Sequence, residues 1–417
     1  MDAVKDCIDY LKDPELVARF QRSFGVIRYD PSDNGATIPS LDNGESKTSN
    51  GNTVRKLNEI DHVTNKFWYY LFLFGTYFGD EIGYAIIIPF LIWNIDSAVA
   101  RKMVLVWAVV MYIGQSIKDI VQWPRPQCPP VIRLQTKWSI EYGMPSTHAM
   151  ISIALPFSVF YYISNRYQID NNIGILIVLL WCMLISLSRL YLGMHSVLKG
   201  VAWGCAEEPI LVGWRYVLSL DKDVVAGLLL AIVLLIPFVP LADVLDRYLM
   251  YSNWTPLIFI VVTVSLILIY PTSDQWTPTK GDTTLILATC AGLLTGGWLN
   301  VKLGIQDDIR VLNPINNLVS WPSINYLGVI VIRSCLGYGC IVLLFLIIKY
   351  FLCVIDKILI KSGMKIFDDV LKRHIPLLDI TYKYFTFYMV SLNIFILIPF
   401  LQKLLFVPRD SFYHEAK

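Results

Sequence analysis

The chain has 417 residues, of which 55% are hydrophobic and only 16% are charged, a composition that excludes a water-soluble globule of this size. The formal net charge of +2 gives no reason to expect a nucleic-acid partner. The eight cysteines show neither a CxxC nor a zinc-ligand spacing, which favours small buried residues over a metal site. We therefore predict an all-α, polytopic membrane protein.

Residues 1–66 form a polar N-terminal segment. Its first 25 residues can make a short amphipathic helix, which we interpret as a surface helix without an assigned role. Residues 33–53 are rich in Gly, Ser, Asn and Thr and are predicted to be a disordered linker. The segment lacks the apolar core of a signal peptide, so a cleaved leader is not expected.

Apolar runs from residue 67 onward predict eight or nine helices, each judged against the ~20 residues that a helix needs to cross a bilayer. The run 67–79 is too short to span upright and is interpreted as interfacial or re-entrant. The run 82–95 is also short and makes a span if it is extended backward. The other predicted spans are 103–122, 147–164, 173–194, 224–241, 254–270, 283–300, 326–355 and 384–406. No repeat of fixed period is visible.

Three polar clusters interrupt these runs: KDIVQWPRP ends one span, GMPSTH begins the next, and SRLYLGMH ends the one after. Because three successive spans run up, down and up, span counting alone brings the clusters to one membrane face. Taken singly, each basic residue could be an interfacial side chain and the serine a plain helix N-cap, but their coincidence favours a site. The candidate residues are Lys118, Arg125, Ser146, Thr147, His148, Arg189 and His195.

Three cations and a hydroxyl suit a tetrahedral dianion. Arginine binds phosphate oxygens bidentately, lysine supplies a point charge, and the amides that start a helix after Pro145 add donors. Two histidines can divide into a nucleophile and a general acid because imidazole titrates near neutral pH. The sequence shows no Asp or Glu cluster beside the histidines, so neither a metal nor another cofactor is implied.

The clusters resemble the signature of the type-2 phosphatidic acid phosphatase superfamily, KxxxxxxRP, PSGH and SRxxxxxHxxxD, with Thr147 in place of the glycine. The stretches PSTH, RLYLGMHSVL and SDQWTPTKGDTTLILATCAG (273–292) are similar to the sphingosine-1-phosphate phosphatase branch. The resemblance implies a six-helix lipid-phosphatase core over 67–241 and additional transmembrane helices over 242–417. It also implies an endoplasmic reticulum membrane location with a lumenal site.

The roles of the residues follow from the resemblance by matching position. His195 would attack phosphorus and become a phosphohistidine, and His148 would protonate the departing alkoxide. The phosphoryl oxygens would be held by Lys118, Arg125, Ser146, Thr147 and Arg189. The expected substrate is sphingosine 1-phosphate or a related sphingoid-base phosphate, and no metal is required.

Two other functions stay open at this point. One is a broader phosphatase for phosphatidic or lysophosphatidic acid. The other is a catalytically silent membrane protein that binds or moves phospholipid. The oligomeric state does not follow from the sequence, and the mixed charges of the short loops do not determine which side of the membrane the site faces.

The third motif is incomplete, because Lys199 stands where the family has an aspartate that accepts the second N–H of the nucleophile. Joining Leu198 directly to Asp223 completes the motif and leads into the next span without interruption. We therefore interpret residues 199–222 as an insertion of 24 residues, from a retained short intron or an alternative exon. The alternative is a genuine loop that returns Asp223 to His195. If the insertion is present in the protein, we expect it to weaken catalysis.

Overall fold

Helices make up the regular structure of the chain, apart from an isolated β-bridge between Val26 and Val63 among the described residues. The computed structural model describes residues 14–27, 63–123, 125, 128, 131–135, 141–194, 222–271, 278–306, 324–361 and 365–415. His195, the predicted linker 33–53 and all of the predicted insertion except its last residue lie outside them.

The helices are numbered in chain order. They are α1 (Pro14–Ser23), α2 (Lys66–Gly79), α3 (Glu81–Phe90, continued by the π-helical turn Leu91–Ile95), α4 (Ser97–Val121), α5 (Thr147–Ser164), α6 (Asn171–Tyr191), α7 (Lys222–Tyr251), α8 (Thr255–Ile269), α9 (Thr279–Lys302), α10 (Ile324–Lys361), α11 (Lys365–Phe395) and α12 (Leu397–Leu404).

The prediction of an all-α polytopic membrane protein is confirmed. Seven segments of the described residues are long and apolar enough to cross a membrane, and the pair α2 and α3 adds an eighth if the bent pair is one span. These two helices meet at 67°, so the runs 67–79 and 82–95 form a broken span or a re-entrant loop. The shorter apolar helix α8 has 15 residues.

Polar residues just before the apolar runs set where several helices begin. Asp96 caps α4 by accepting hydrogen bonds from the amides of Ala98 and Val99, at 2.9 and 3.1 Å. Asp170 caps α6 in the same way, and Asn65 caps α2. Such caps accept hydrogen bonds from amides that have no acceptor inside the helix. An amide without an acceptor costs free energy where no water can replace the cap.

The C-terminal helices pack directly on the core. One hydrophobic cluster combines buried side chains from α3, α4, α5, α9 and α11. Trp93 in the π-helical turn donates its indole N–H to the carbonyl of Ile394 in α11, at 3.0 Å. Helix α7 continues to Tyr251, past the predicted boundary at residue 241.

Buried ion pairs connect the elements at one end of the helices, where α4 begins and α7 ends. Arg101 and Asp246 are fully buried, and the guanidinium of Arg101 donates hydrogen bonds of 3.0 and 3.1 Å to the two carboxylate oxygens of Asp246. Glu415 accepts the amide of Ser97 at 2.8 Å and pairs with Arg409. Charge is compensated locally, so this end has the character of a structural network.

The N-terminal helix α1 packs its apolar face into the protein and leaves its basic side chains exposed, as an amphipathic surface helix does. Val17 and Phe20 are buried in a cluster with residues from α2 and the end of α6. The amide of Gln21 donates to the carbonyls of Ile132 and Tyr191, at 2.6 and 3.0 Å. Helix α1 thus supports the segment that leads to the third polar cluster.

Candidate active site

The other end of the helix bundle gathers the polar clusters predicted from the sequence. Lys118 in the last turn of α4 is buried, and its ammonium group lies 3.4 Å from the hydroxyl of Thr147 at the start of α5. The same group pairs with Glu141 at 2.9 Å. The structure therefore brings the first and second clusters into direct contact.

Arg125 connects the first cluster with the third. Its Nε donates to the carbonyl of Glu141 at 2.7 Å, and its Nη1 donates to the carbonyl of Met194 at 2.9 Å. Burial lowers the pKa of the Arg125 guanidinium to about 10, against the opposing effect of the Glu141 charge. The group stays protonated at neutral pH and holds the backbone one residue before His195.

Ser146 connects the start of α5 with the start of α7. Its amide donates to the carbonyl of Asp223 at 3.0 Å, while its hydroxyl caps α5 by accepting the amide of Ala149 at 3.5 Å. Asp223 is fully buried and interacts electrostatically with Arg125. The first turn of α7 therefore lies beside the second polar cluster.

Arg189 is buried in the last turn of α6, with a relative exposure of 1%. Its charge interacts with those of Asp80 and Glu141. Two of its donors, Nε and Nη1, have no acceptor among the described residues. A buried guanidinium is costly unless its N–H groups are satisfied, so this position is suited to the oxygens of a bound anion.

Helix α6 ends in a turn that directs the chain toward His195. Gly193 has φ +68°, a conformation in which other residues are strained. The amide of Met194 donates to the carbonyl of Arg189 at 3.2 Å. His195 itself lies outside the described residues, so the structure places its preceding neighbour in the site but not its side chain.

Two carboxylates in the site were missed by the sequence analysis. Glu141 pairs with Lys118, and Asp80 lies 2.6 Å from Nε2 of His148. Neither residue is among the site residues predicted from the sequence. The signal for Asp80 was present, because the pair Asp80–Glu81 interrupts two apolar runs, but it was interpreted only as a boundary.

Glu141 stays ionised in the site. Burial favours its neutral form, but the charges of Lys118 and Arg125 more than offset this effect and hold the pKa of the carboxyl below its ordinary value. The two cations therefore already share one anion before any substrate binds. A phosphate group that approaches them meets both their attraction and the repulsion of Glu141.

We expect Glu141→Gln to strengthen the binding of inorganic phosphate by about tenfold, because one negative charge is removed beside two cations that are predicted to bind phosphate. Calorimetric titration of the purified full chain with inorganic phosphate measures the change. Asp243→Asn is the matched control, since it removes one negative charge at the opposite end, where Asp243 pairs with Lys102 at 2.5 Å. Unchanged or weaker phosphate binding in Glu141→Gln would contradict the expectation.

A small cavity of about 30 Å³ lies beside His148. Its wall includes the acidic residues Asp80, Glu81, Glu141 and Asp282. The wall is completed by Gly79, Tyr84, Met111, Gln115, Thr147, Leu285 and Ile286. Negative charge thus borders the site beside His148. Glu141 belongs to this wall and also pairs with Lys118 and Arg125.

Comparisons with known proteins identify relatives of this chain. The sequence matches the family profile of the PAP2 superfamily over residues 100–206. It is 34% identical to sphingosine-1-phosphate phosphatase 1 of Rattus norvegicus, over 82% of this chain and 74% of the relative. It is 35% identical to sphingosine-1-phosphate phosphatase 2 of Homo sapiens, over 70% of this chain and 72% of the relative.

A more distant relative is lipid phosphate phosphatase delta of Arabidopsis thaliana, 29% identical over 51% of this chain and 48% of the relative. No solved structure shows a significant match.

Proposed function

Because this chain belongs to the sphingosine-1-phosphate phosphatase family and is a membrane-embedded lipid phosphate phosphatase, we propose that its substrates are sphingosine 1-phosphate and related sphingoid-base phosphates. We place the reaction at the endoplasmic reticulum membrane and assign it a phosphohistidine route without a metal ion. The observation that carries the phosphate site is the buried guanidinium of Arg189, whose Nε and Nη1 have no acceptor among the described residues.

The reaction is written in two steps. In the first, a ring nitrogen of His195 forms a bond to phosphorus while the bond to the lipid oxygen breaks, and His148 gives a proton to the departing oxygen. In the second, water attacks phosphorus and gives a proton to His148, and the bond between nitrogen and phosphorus breaks. Lys118, Arg125 and Arg189 stabilise the phosphoryl charge in both transition states, with Ser146 and Thr147 at the start of α5.

The acidic wall of the cavity supports a sphingoid base over a glycerolipid. A sphingoid-base phosphate carries an ammonium group two carbons from its phosphoester oxygen, whereas phosphatidic acid carries no cation. Glu81 and Asp282 line the cavity on the side of His148, where the alcohol leaves. Carboxylates there attract the ammonium group of a sphingoid base and give a neutral glycerolipid backbone no comparable attraction.

The proposal is tested by phosphate release from detergent-dispersed sphingosine 1-phosphate, phosphatidic acid and lysophosphatidic acid, with and without a chelator. We expect kcat/KM for sphingosine 1-phosphate to exceed that for the glycerolipids by at least about tenfold, which corresponds to ~1.4 kcal/mol of discrimination. The chelator is expected to leave the rate unchanged. An equal or higher kcat/KM for phosphatidic acid would replace the proposal with the broader lipid phosphatase that the plant relative's name describes.

A further inference from the structure

The break between α2 and α3 presents Asp80 to His148. The two helices meet at 67°, and the backbone of Asp80 at the break is extended, with φ −95° and ψ 174°. Its carboxylate Oδ1 lies 2.6 Å from Nε2 of His148. The side chains are 3% and 12% exposed, so this contact is shielded from bulk solvent. The residues are 68 positions apart in the chain, and the tertiary fold brings them together at the break.

The residue before Asp80 supports the same imidazole ring. A Cβ atom on Gly79 would lie 2.8 Å from Cδ2 of His148, so the ring packs against backbone that has no side chain. The hydroxyl of Tyr84 donates to the carbonyl of Gly79 at 2.5 Å and fixes the broken end of α2. Gly79 and Asp80 together therefore hold the ring in one position and one orientation.

The charges around His148 make this carboxylate important. Arg189 on α6 and Lys118 on α4 place positive charges in electrostatic contact with the ring, and Asp80 places a negative charge bonded directly to it. Glu141 also interacts with the ring electrostatically, and Glu81 and Asp282 line the same cavity. Cations that bind phosphate would otherwise deprive the general acid of its proton, and a directly bonded carboxylate opposes this effect.

We propose that Asp80 is the positioning residue of the general acid, an inference that rests on the proposed function. It binds the N–H at Nε2 of His148 and stabilises the imidazolium, which leaves Nδ1 to give its proton to the departing lipid oxygen. Asp80 stays ionised throughout, and after the transfer it holds the neutral ring with the proton on Nε2. In the second step Nδ1 takes a proton from the attacking water.

Substrates with different leaving groups separate this role from a structural one. A lipid alkoxide must be protonated as it leaves, whereas p-nitrophenolate leaves without protonation. We expect Asp80→Asn to lower kcat for sphingosine 1-phosphate by about 100-fold with little change in KM. The burst of p-nitrophenolate from p-nitrophenyl phosphate should slow by less than about fivefold, since it reports only the first step. The alkaline limb of the pH profile for the lipid should move to lower pH.

Asp119→Asn is the matched control. Asp119 is a buried aspartate near the end of α4, and its carboxylate accepts the hydroxyl of Tyr270 at 2.8 Å and that of Thr279 at 2.5 Å. No histidine in the described part of the chain bonds to it. The same substitution there should change both substrates by equal factors. Asp80→Glu keeps the charge and should recover part of the lost rate on the lipid.

Gly79→Ala provides a second test that keeps the carboxylate. Its new methyl group displaces the ring, so the loss should again be confined to the lipid substrate. Equal losses on both substrates in Asp80→Asn and Gly79→Ala, or no loss on the lipid, would overturn the proposal. A wild-type protein that releases no phosphate from any lipid would instead refute the proposed function, before any variant is compared.

Discussion

Replacing His195 by asparagine is expected to lower turnover on sphingosine 1-phosphate by at least about 10⁴-fold and to abolish the covalent phosphoenzyme. The structure places the carbonyl of Met194, the residue before it, on the Nη1 of Arg125 at 2.9 Å. Because His195 follows Met194 in the chain, we expect its side chain to act close to Arg125, a cation that we propose binds phosphate. Acid-quench trapping of the enzyme with ³²P-labelled substrate measures the phosphoenzyme directly.

His148→Asn separates the nucleophile from the general acid. It should lower lipid turnover as well, because the departing oxygen receives no proton. With p-nitrophenyl phosphate, however, His148→Asn should still form the phosphoenzyme and His195→Asn should not. A labelled phosphoenzyme in His195→Asn, or its loss in both variants with the aryl substrate, would contradict the assignment of the two histidines.

Local signals in the sequence predicted the membrane spans well. The run 147–164 coincides with α5, and 103–122 falls on α4, which begins earlier at Ser97 because Asp96 caps it. Apolar length and capping residues are properties of neighbouring positions. They are therefore visible in a single sequence without any knowledge of the fold.

The gathering of the three cation-bearing clusters was also predictable, because it depends only on the parity of successive spans. Lys118 and Thr147 do meet, as span counting suggested. The carboxylates were not predictable in this way. Asp80 meets His148 where α2 and α3 bend by 67°, and a bend angle follows from tertiary packing rather than from hydrophobic length.

The amphipathic pattern of α1 predicts the helix but not its tertiary contacts. The pattern identifies an apolar face but not what covers it, and here the cover includes the buried contacts of Gln21 with Ile132 and Tyr191. Gln21 is 111 positions from Ile132 and 170 positions from Tyr191 in the chain. No local property of residues 14–23 contains that information.

Residues 199–222 separate His195 from Asp223, its expected carboxylate partner. Removing residues 199–222 is expected to raise turnover by about 10- to 100-fold, because a mispositioned catalytic group can cost about that factor. The deletion joins Leu198 to Asp223 and places the aspartate four residues after His195. Side chains at that spacing share one face of a helix, so the carboxylate can accept the second N–H of the imidazole.

The structure supports Asp223 as the partner, since it lies fully buried beside the site. Its carbonyl holds the amide of Ser146 at 3.0 Å, and its charge interacts with Arg125. If residues 199–222 form a genuine loop, the full chain already brings this carboxylate to His195. Asp223→Asn would then lower the turnover of the full chain by about 10²- to 10⁴-fold.

A deletion shorter by one residue distinguishes register from length. Removing 199–221 leaves Lys222 at the fourth position after His195 and moves Asp223 to the fifth, about 100° around a helix. Turnover should rise with the longer deletion and not with the shorter one, and Asp223→Asn should cancel the gain. Equal turnover with and without residues 199–222 would contradict the interpretation of this segment as an insertion that weakens catalysis. In that case we expect every transcript across Leu198 and Asp223 to encode the segment. A gain that depends on a single residue of register can only come from the placement of the carboxylate, since both deletions shorten the connection almost equally.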